Sequence, residues 1–197
     1  MITHKLFGAL ATTREELVVV VDAEDRPLGE ARKLFVHQMG ILHRAVSVLL
    51  TDGDERVLLQ QRAPEKYHSA GLWANSACGH PRPGERPADA AVRRLGAELG
   101  VYCALDPVGR FAYRAELANG LIEHEVDHVF VGRFIGSPAP DPTEVSAWKW
   151  VGLDALRADL AAHPERYAPW LEAVLSVAQQ HPLLAACETQ ISAPATR

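Results

Sequence analysis

Glu123 and Glu125 stand two residues apart at the head of a stretch, Glu123 to Phe134, whose β-branched and aromatic residues suit a strand. Residues i and i+2 of an extended chain share a face, so both carboxylates point the same way. Two like charges held together need a cation or water between them. A second reactive group is Cys78. A lone cysteine usually behaves as a small apolar side chain; Cys78 lies between Asn75-Ser76 and Gly79-His80-Pro81, so packing and chemistry are both open to it at this point. Arginine outnumbers lysine 16 to 4, which suits a site that grips phosphate with forked donors. Arg94 and Glu98 are four apart, so on a helix they meet either as a solvated pair or with Arg94 turned to a phosphate.

The elements that must position these groups alternate unevenly along the chain. Leu17 to Val21 reads as a strand and Glu30 to His37 as a short helix or turn. His43 to Thr51 and Arg56 to Arg62 form a hairpin through Asp52-Gly53-Asp54. The clearest helix spans Pro87 to Leu99, with Ala88, Ala91, Val92, Leu95 and Leu99 on one face and Gly100 as its cap. Strands follow at Arg110 to Glu116 and Glu123 to Phe134 around Asn119-Gly120, then at Trp148 to Val151. Helices over 153–162 and 168–180 close the chain. The class is α/β (α+β), a mixed sheet between helices. Residues 16–182 form one domain, with a loose lead-in over 1–15 and a flexible tail over 183–197.

Gly79 to Val101 reads GHPRPGERPADAAVRRLGAELGV and resembles the Nudix box. Gly79, Glu85, Arg93, Leu95, Glu98, Gly100 and Val101 fall in place, which implies a Nudix core over about 41–175. Arg94 and Ala97 stand where the box carries glutamates. Hydrolytic members use that glutamate cluster to hold metal ions that activate water on a diphosphate. A cation at position 94 prevents the usual multi-metal site.

With Trp73-Ala-Asn-Ser-Ala-Cys78-Gly-His80-Pro upstream, the chain resembles the type 1 isopentenyl-diphosphate isomerases from about Asp22 to Trp170. Gln61-Arg62, Lys66, Phe111-Ala-Tyr113-Arg114, Glu123-His-Glu125 and Tyr167-Ala-Pro169-Trp170 extend the likeness. Such an enzyme moves one proton across an allylic system, so it needs an acid and a base on opposite sides of a flat hydrocarbon, with water excluded. The resemblance assigns that pair to Cys78 and Glu125, with Tyr113 in support. It assigns a divalent ion to His37, His43, His80, Glu123 and Glu125. His37 and His43 are six apart where the family usually has seven, which makes His37 the weakest member. His124 and His128 fall on the opposite strand face and read as structural or exposed. Lys33, Arg62, Lys66 and Arg94 match the family's diphosphate grip, with Mg2+ on Glu98 and the Cys78 carbonyl. Trp170 would line the hydrocarbon pocket, and Trp73 would either join it or pack in the core. For the second ion manganese ranks first and zinc is the alternative; the ligand types suit iron almost as well.

A net charge of −5 argues against nucleic acid or an anionic membrane as the main partner. No apolar run approaches the ~20 residues of a membrane span, and residues 6–11 are too short for a signal peptide. Cys78, Cys103 and Cys187 are an odd, sparse set, which fits a reducing cytoplasm better than a disulfide framework. The expected partner is a small allylic or homoallylic diphosphate, bound by a monomer or weak homodimer. The rival readings are a Nudix hydrolase of an organic diphosphate and a non-catalytic diphosphate-binding module.

Overall fold

The computed structural model describes residues 16–117 and 119–184. The expected lead-in over 1–15, the tail from residue 185 and Cys187 lie outside the described residues.

Among the described residues, nine strands form one mixed sheet: β1 (Leu17–Val21), β2 (Pro27–Arg32), β3 (His43–Thr51), β4 (Arg56–Arg62), β5 (Trp73–Ala74), β6 (Ala77–Gly79), β7 (Asp106–Glu116), β8 (Ile122–Arg133) and β9 (Val145–Gly152). Four helices accompany them: α1 (Lys33–Met39), α2 (Pro87–Leu99), α3 (Leu153–Ala162) and α4 (Leu171–Ala178). β3 is the hub. It runs parallel to β8 from His43↔Glu125 to Thr51↔Arg133, and antiparallel to β6 at Val46↔Gly79 through Val48↔Ala77. Because side chains alternate, this register sorts the sheet into two faces. Val46, Val48, Leu50 and Phe130 pack on α2. Leu49, Val129 and Val131 pack on α4 through Leu171, Val174 and Leu175.

α2 keeps the expected bounds. Pro87 occupies its first turn, and Gly100 caps it at φ 64° with its amide donating to the Gly96 carbonyl. That left-handed conformation favours glycine, and a Cβ there would lie 2.7 Å from the Ala139 carbonyl oxygen. The buried face differs from the expected one. Ala90, Ala91, Leu95, Glu98 and Leu99 are buried, while Ala88 and Val92 face solvent. The buried stripe packs on Val46, Val48, Leu50 and Phe130, and Glu98 lies on the buried side of the helix.

Three other expectations are corrected. The stretch read as a helix or turn from Glu30 splits: residues through Arg32 continue β2 against β1, and α1 begins only at Lys33. The last helix starts at Leu171 instead of residue 168, because Ala168 is held by its amide's bond to the Trp73 carbonyl at 2.8 Å. Residues 183 and 184 belong to a turn, with Leu184 packed in the core, so the domain runs past residue 182. β5 and β6 were not foreseen; two and three residues carry no readable periodicity.

Candidate active site

The β3 register delivers the side chains that could do chemistry to one face. His43 pairs in register with Glu125, and Glu125 pairs across β7 with Tyr113. Ser47 pairs with Cys78 on the other side of β3 and with Val129 on β8. By period-2 alternation Glu123, Glu125 and Asp127 share that face. The pocket formed there is lined by Cys78, His80, Tyr113, Glu125, Arg62 and Trp170, among others. His124 and His128 turn the other way, His124 to the Gly40 carbonyl and His128 to Asp25, both below 3.0 Å.

Four imidazoles and two carboxylates crowd one end of the pocket. α1 ends at Gly40 in the left-handed conformation and presents His37, which is fully buried. The Nδ1 of His37 faces the Lys33 carbonyl at 2.7 Å, and the Nδ1 of His43 faces the Ile41 carbonyl at 2.8 Å. A carbonyl only accepts, so both Nδ1 atoms carry the proton and both Nε2 atoms offer lone pairs to the site. This backbone-anchored tautomer is the usual state of a metal-binding histidine. His80 Nε2 lies 2.8 Å from Glu125 Oε1 and 3.2 Å from His43 Nε2. His37 Nε2 lies 3.3 Å from Glu123 Oε2, yet neither atom has a hydrogen-bond partner. Two buried acceptors so close need a proton or a cation between them. His37, His43, His80 and Glu125 bring one ligand atom each within 4.8 Å of one another, and so do His37, His68 and Glu123. The donor set fits a divalent ion, and the shortened His37–His43 spacing does not keep His37 away from it.

Burial and charge set contrasting states on the neighbouring groups. Burial, aided by the nearby Glu98 charge, pushes the Cys78 thiol up to about 12, against the pull of Arg62, Lys66 and Arg94. Burial and the Glu125 charge raise Glu123 above the carboxylate range. Burial also opposes ionisation of Glu125, but its bonds with His43 and His80 outweigh that cost and hold it low. Tyr113 donates from its hydroxyl to Glu125 Oε2 at 2.7 Å, and burial together with that carboxylate keeps the phenol protonated. Cys78 therefore rests with its proton and Glu125 without one. Arg62 Nη1 sits 3.4 Å from Cys78 Sγ, and its guanidinium stacks 5.4 Å from the Trp170 ring centre. Trp170 itself is buried, donating from Nε1 to Asn75 Oδ1 at 2.9 Å.

At the opposite end lies a cationic corner. Arg94 donates from Nε to the Cys78 carbonyl at 3.2 Å and from Nη2 to Glu98 Oε1 at 2.6 Å. Gly79 permits this approach, since a Cβ there would lie 2.8 Å from Arg94 Nε. Glu98 is 2 % exposed and also receives Gln60 Nε2 at 2.5 Å, so the solvated-pair reading of Arg94 and Glu98 does not hold. Glu144 bridges Arg94 Nη2 at 3.0 Å and Lys66 Nζ, and Lys33 pairs with Glu16 at 2.8 Å. Glu85 chelates Arg93 through both carboxylate oxygens at 2.7 Å, and Arg93 Nη2 donates to the His80 carbonyl at 3.0 Å. The Glu85–Arg93 pair thus braces the loop that carries His80. Trp73 does not line the pocket; it packs on the α4 core with Lys149 over its ring.

His68, Glu144, Gln60, Ser47 and Asp127 also reach this region, and the sequence reading did not single them out as site residues. His68 and Glu144 sit on connecting segments, which have no periodicity. Asp127 was visible only as the third member of the Glu123, Glu125 alternation; Ser47 donates to its Oδ2 at 2.7 Å.

The sheet, α2 and the site they frame define a NUDIX domain: the family model of that domain matches residues 41–173. Solved structures carry the same fold. A Deinococcus radiodurans protein superposes with a TM-score of 0.69 at 20% identity, covering 82% of this chain and 99% of that one. A MutT NUDIX hydrolase from Burkholderia pseudomallei gives 0.56 at 23% identity, over 69% of this chain and 97% of its own. Sequence relatives narrow the class. Isopentenyl-diphosphate Delta-isomerase 1 of Aromatoleum aromaticum is 52% identical over 82% of this chain and 91% of its own length. The isomerase of Nocardia farcinica is 50% identical over 82% and 93%. The chain belongs to the isopentenyl-diphosphate Delta-isomerase family of NUDIX proteins.

Proposed function

We propose that this chain interconverts isopentenyl and dimethylallyl diphosphate, with Cys78 and Glu125 each handling one proton of the allylic shift. The observation that supports this most is their placement. β6 and β8 flank β3 on opposite sides, and the register turns Cys78 and Glu125 to the same face, into one pocket. The reaction adds a proton to the terminal methylene and removes one from the carbon next to the diphosphate-bearing carbon, so the double bond moves by one position. Two groups at separate points of a closed pocket meet that need, and in the reverse reaction their roles exchange. The rest states described above, thiol at one end and carboxylate at the other, supply one proton between them.

Other residues hold the substrate in place. Arg94, Lys66, Arg62 and Lys33 offer cations in several directions to the diphosphate, and Glu144 keeps two of them paired until it arrives. Tyr113 fixes the orientation of Glu125. Trp170 gives a flat apolar wall whose π-face favours positive charge developing on the hydrocarbon. A divalent ion on His37, His43, His80, Glu123 and Glu125, manganese first and zinc as the alternative, would supply fixed positive charge that offsets the two buried carboxylates. Magnesium entering with the diphosphate would use Glu98 and the Cys78 carbonyl, the two acceptors that Arg94 now meets. Cys78 and Cys103 are free thiols, in keeping with a reducing cytoplasm. No described helix is long and apolar enough to cross a membrane.

Arg94→Glu separates this reading from hydrolysis. The substitution restores one box glutamate but leaves Ala97, and it sets a third carboxylate beside Glu98 and Glu144. Loss of charge-assisted bonds of about 1.5–3 kcal/mol raises KM for isopentenyl diphosphate by about 10- to 100-fold, with no phosphate released. A variant that binds substrate like the parent, or that releases phosphate at a useful rate, would remove Arg94 from the diphosphate grip.

A further inference from the structure

The geometry points to His68 as a fourth imidazole ligand of the divalent-ion site: its Nδ1 lies 3.1 Å from Glu123 Oε1, beside His37 Nε2, with no hydrogen-bond partner of its own. This inference rests on the divalent-ion reading given above. Three buried polar atoms, His37 Nε2, His68 Nδ1 and Glu123 Oε2, are left without partners within one small cluster. Isolated orphans are costly and rare; three that converge call for a shared proton or cation, and two imidazole nitrogens beside a carboxylate are the donor types that hold a divalent ion.

His68 is held there by its surroundings. Its carbonyl accepts Arg62 Nη2 at 3.1 Å, and the ends of its loop are tied by bonds from the Gly71 amide to the Arg62 carbonyl and from the Arg62 amide to the Leu72 carbonyl, both 3.0 Å. Its ring lies nearly parallel to that of His37, with centroids 5.5 Å apart, and meets Tyr67 edge-on at 4.4 Å and Trp170 at 6.3 Å. The side chain is 7% exposed, so water does not satisfy the free nitrogen as it would on a surface. Packed edge-on against Tyr67 and Trp170, the ring turns its Nδ1 to Glu123.

With His68 the ligand set becomes four imidazoles and two carboxylates. Six ligands suit an octahedral ion such as Mn2+ and exceed the four of an ordinary zinc site.

Pulsed electron paramagnetic resonance on the Mn2+-loaded full chain counts the coordinated nitrogens directly. Four imidazole couplings are expected in the wild type and three in His68→Asn, whose affinity in a chelator competition should fall by more than about 100-fold. Three couplings in the wild type would overturn the assignment and leave His68 as a hydrogen-bond partner of Glu123; this count needs no variant to fold. Four couplings that persist in folded His68→Asn would equally overturn it. Absence of any bound ion or nitrogen coupling in the wild type is a separate outcome, and it would bring down the divalent-ion reading and this inference together.

Discussion

Cys78→Ala lowers turnover of isopentenyl diphosphate by at least about 10²-fold while the protein stays folded. A positioned acid–base group contributes about 10²–10⁴ in rate, and no other thiol among the described residues can substitute, because Cys103 packs against the α2 core away from the pocket. The change removes one sulfur from a half-buried site on a three-residue strand paired only with β3, so its cost in stability is small beside its cost in rate. KM should change little, since the diphosphate is gripped by the cationic corner and Cys78 contributes only its backbone carbonyl there. Cys103→Ala serves as the control and should be kinetically silent. Steady-state kinetics with a thermal unfolding curve for each variant checks this, and full activity in folded Cys78→Ala would take the thiol out of the mechanism.

His80→Ala should lose the divalent ion. The imidazole bridges Glu125 at 2.8 Å and His43 at 3.2 Å, so its removal strips one ligand and leaves two buried polar groups facing a void. Replacing a residue that only supports a ligand costs about 10- to 100-fold in affinity, so loss of a direct ligand should exceed about 100-fold. Elemental analysis should find about one tightly held ion per wild-type chain and far less in the variant. His37→Ala should lose less than His80→Ala, because Glu123 retains His68 at 3.1 Å as a neighbour, whereas His80 stands between Glu125 and His43 and serves both. A full ion in His80→Ala would mean that the cluster is a hydrogen-bonded core with no metal function.

The parts of this site carried by strands and by the long helix were legible in the sequence. The alternation of Glu123 and Glu125 and the bounds of α2 rest on local periodicity, the Cys78-Gly79-His80 run stood out only by its resemblance to a family motif, and the register of β3 against β6 and β8 then brings them together. Loops were less readable. His68 and Glu144 belong to segments where no period links position to direction, and only folding places them beside Glu123 and Arg94. The α2 face was misjudged for a related reason. Ala88 and Val92 fit the apolar stripe as well as Ala90 does, and a polar residue such as Glu98 was not expected inside until Gln60 and Arg94 were there to receive it. The extension of β2 through Arg32 was hidden because its residues are exposed and carry no alternation.

The most direct test is the fate of one proton. The wild-type chain, supplied with isopentenyl diphosphate and magnesium in deuterated water, should yield dimethylallyl diphosphate with deuterium in a methyl group and no free phosphate, and folded Cys78→Ala should incorporate deuterium at least about 10²-fold more slowly. Free phosphate as the main product, or an isomer formed without solvent deuterium, would contradict an acid–base pair working across this pocket.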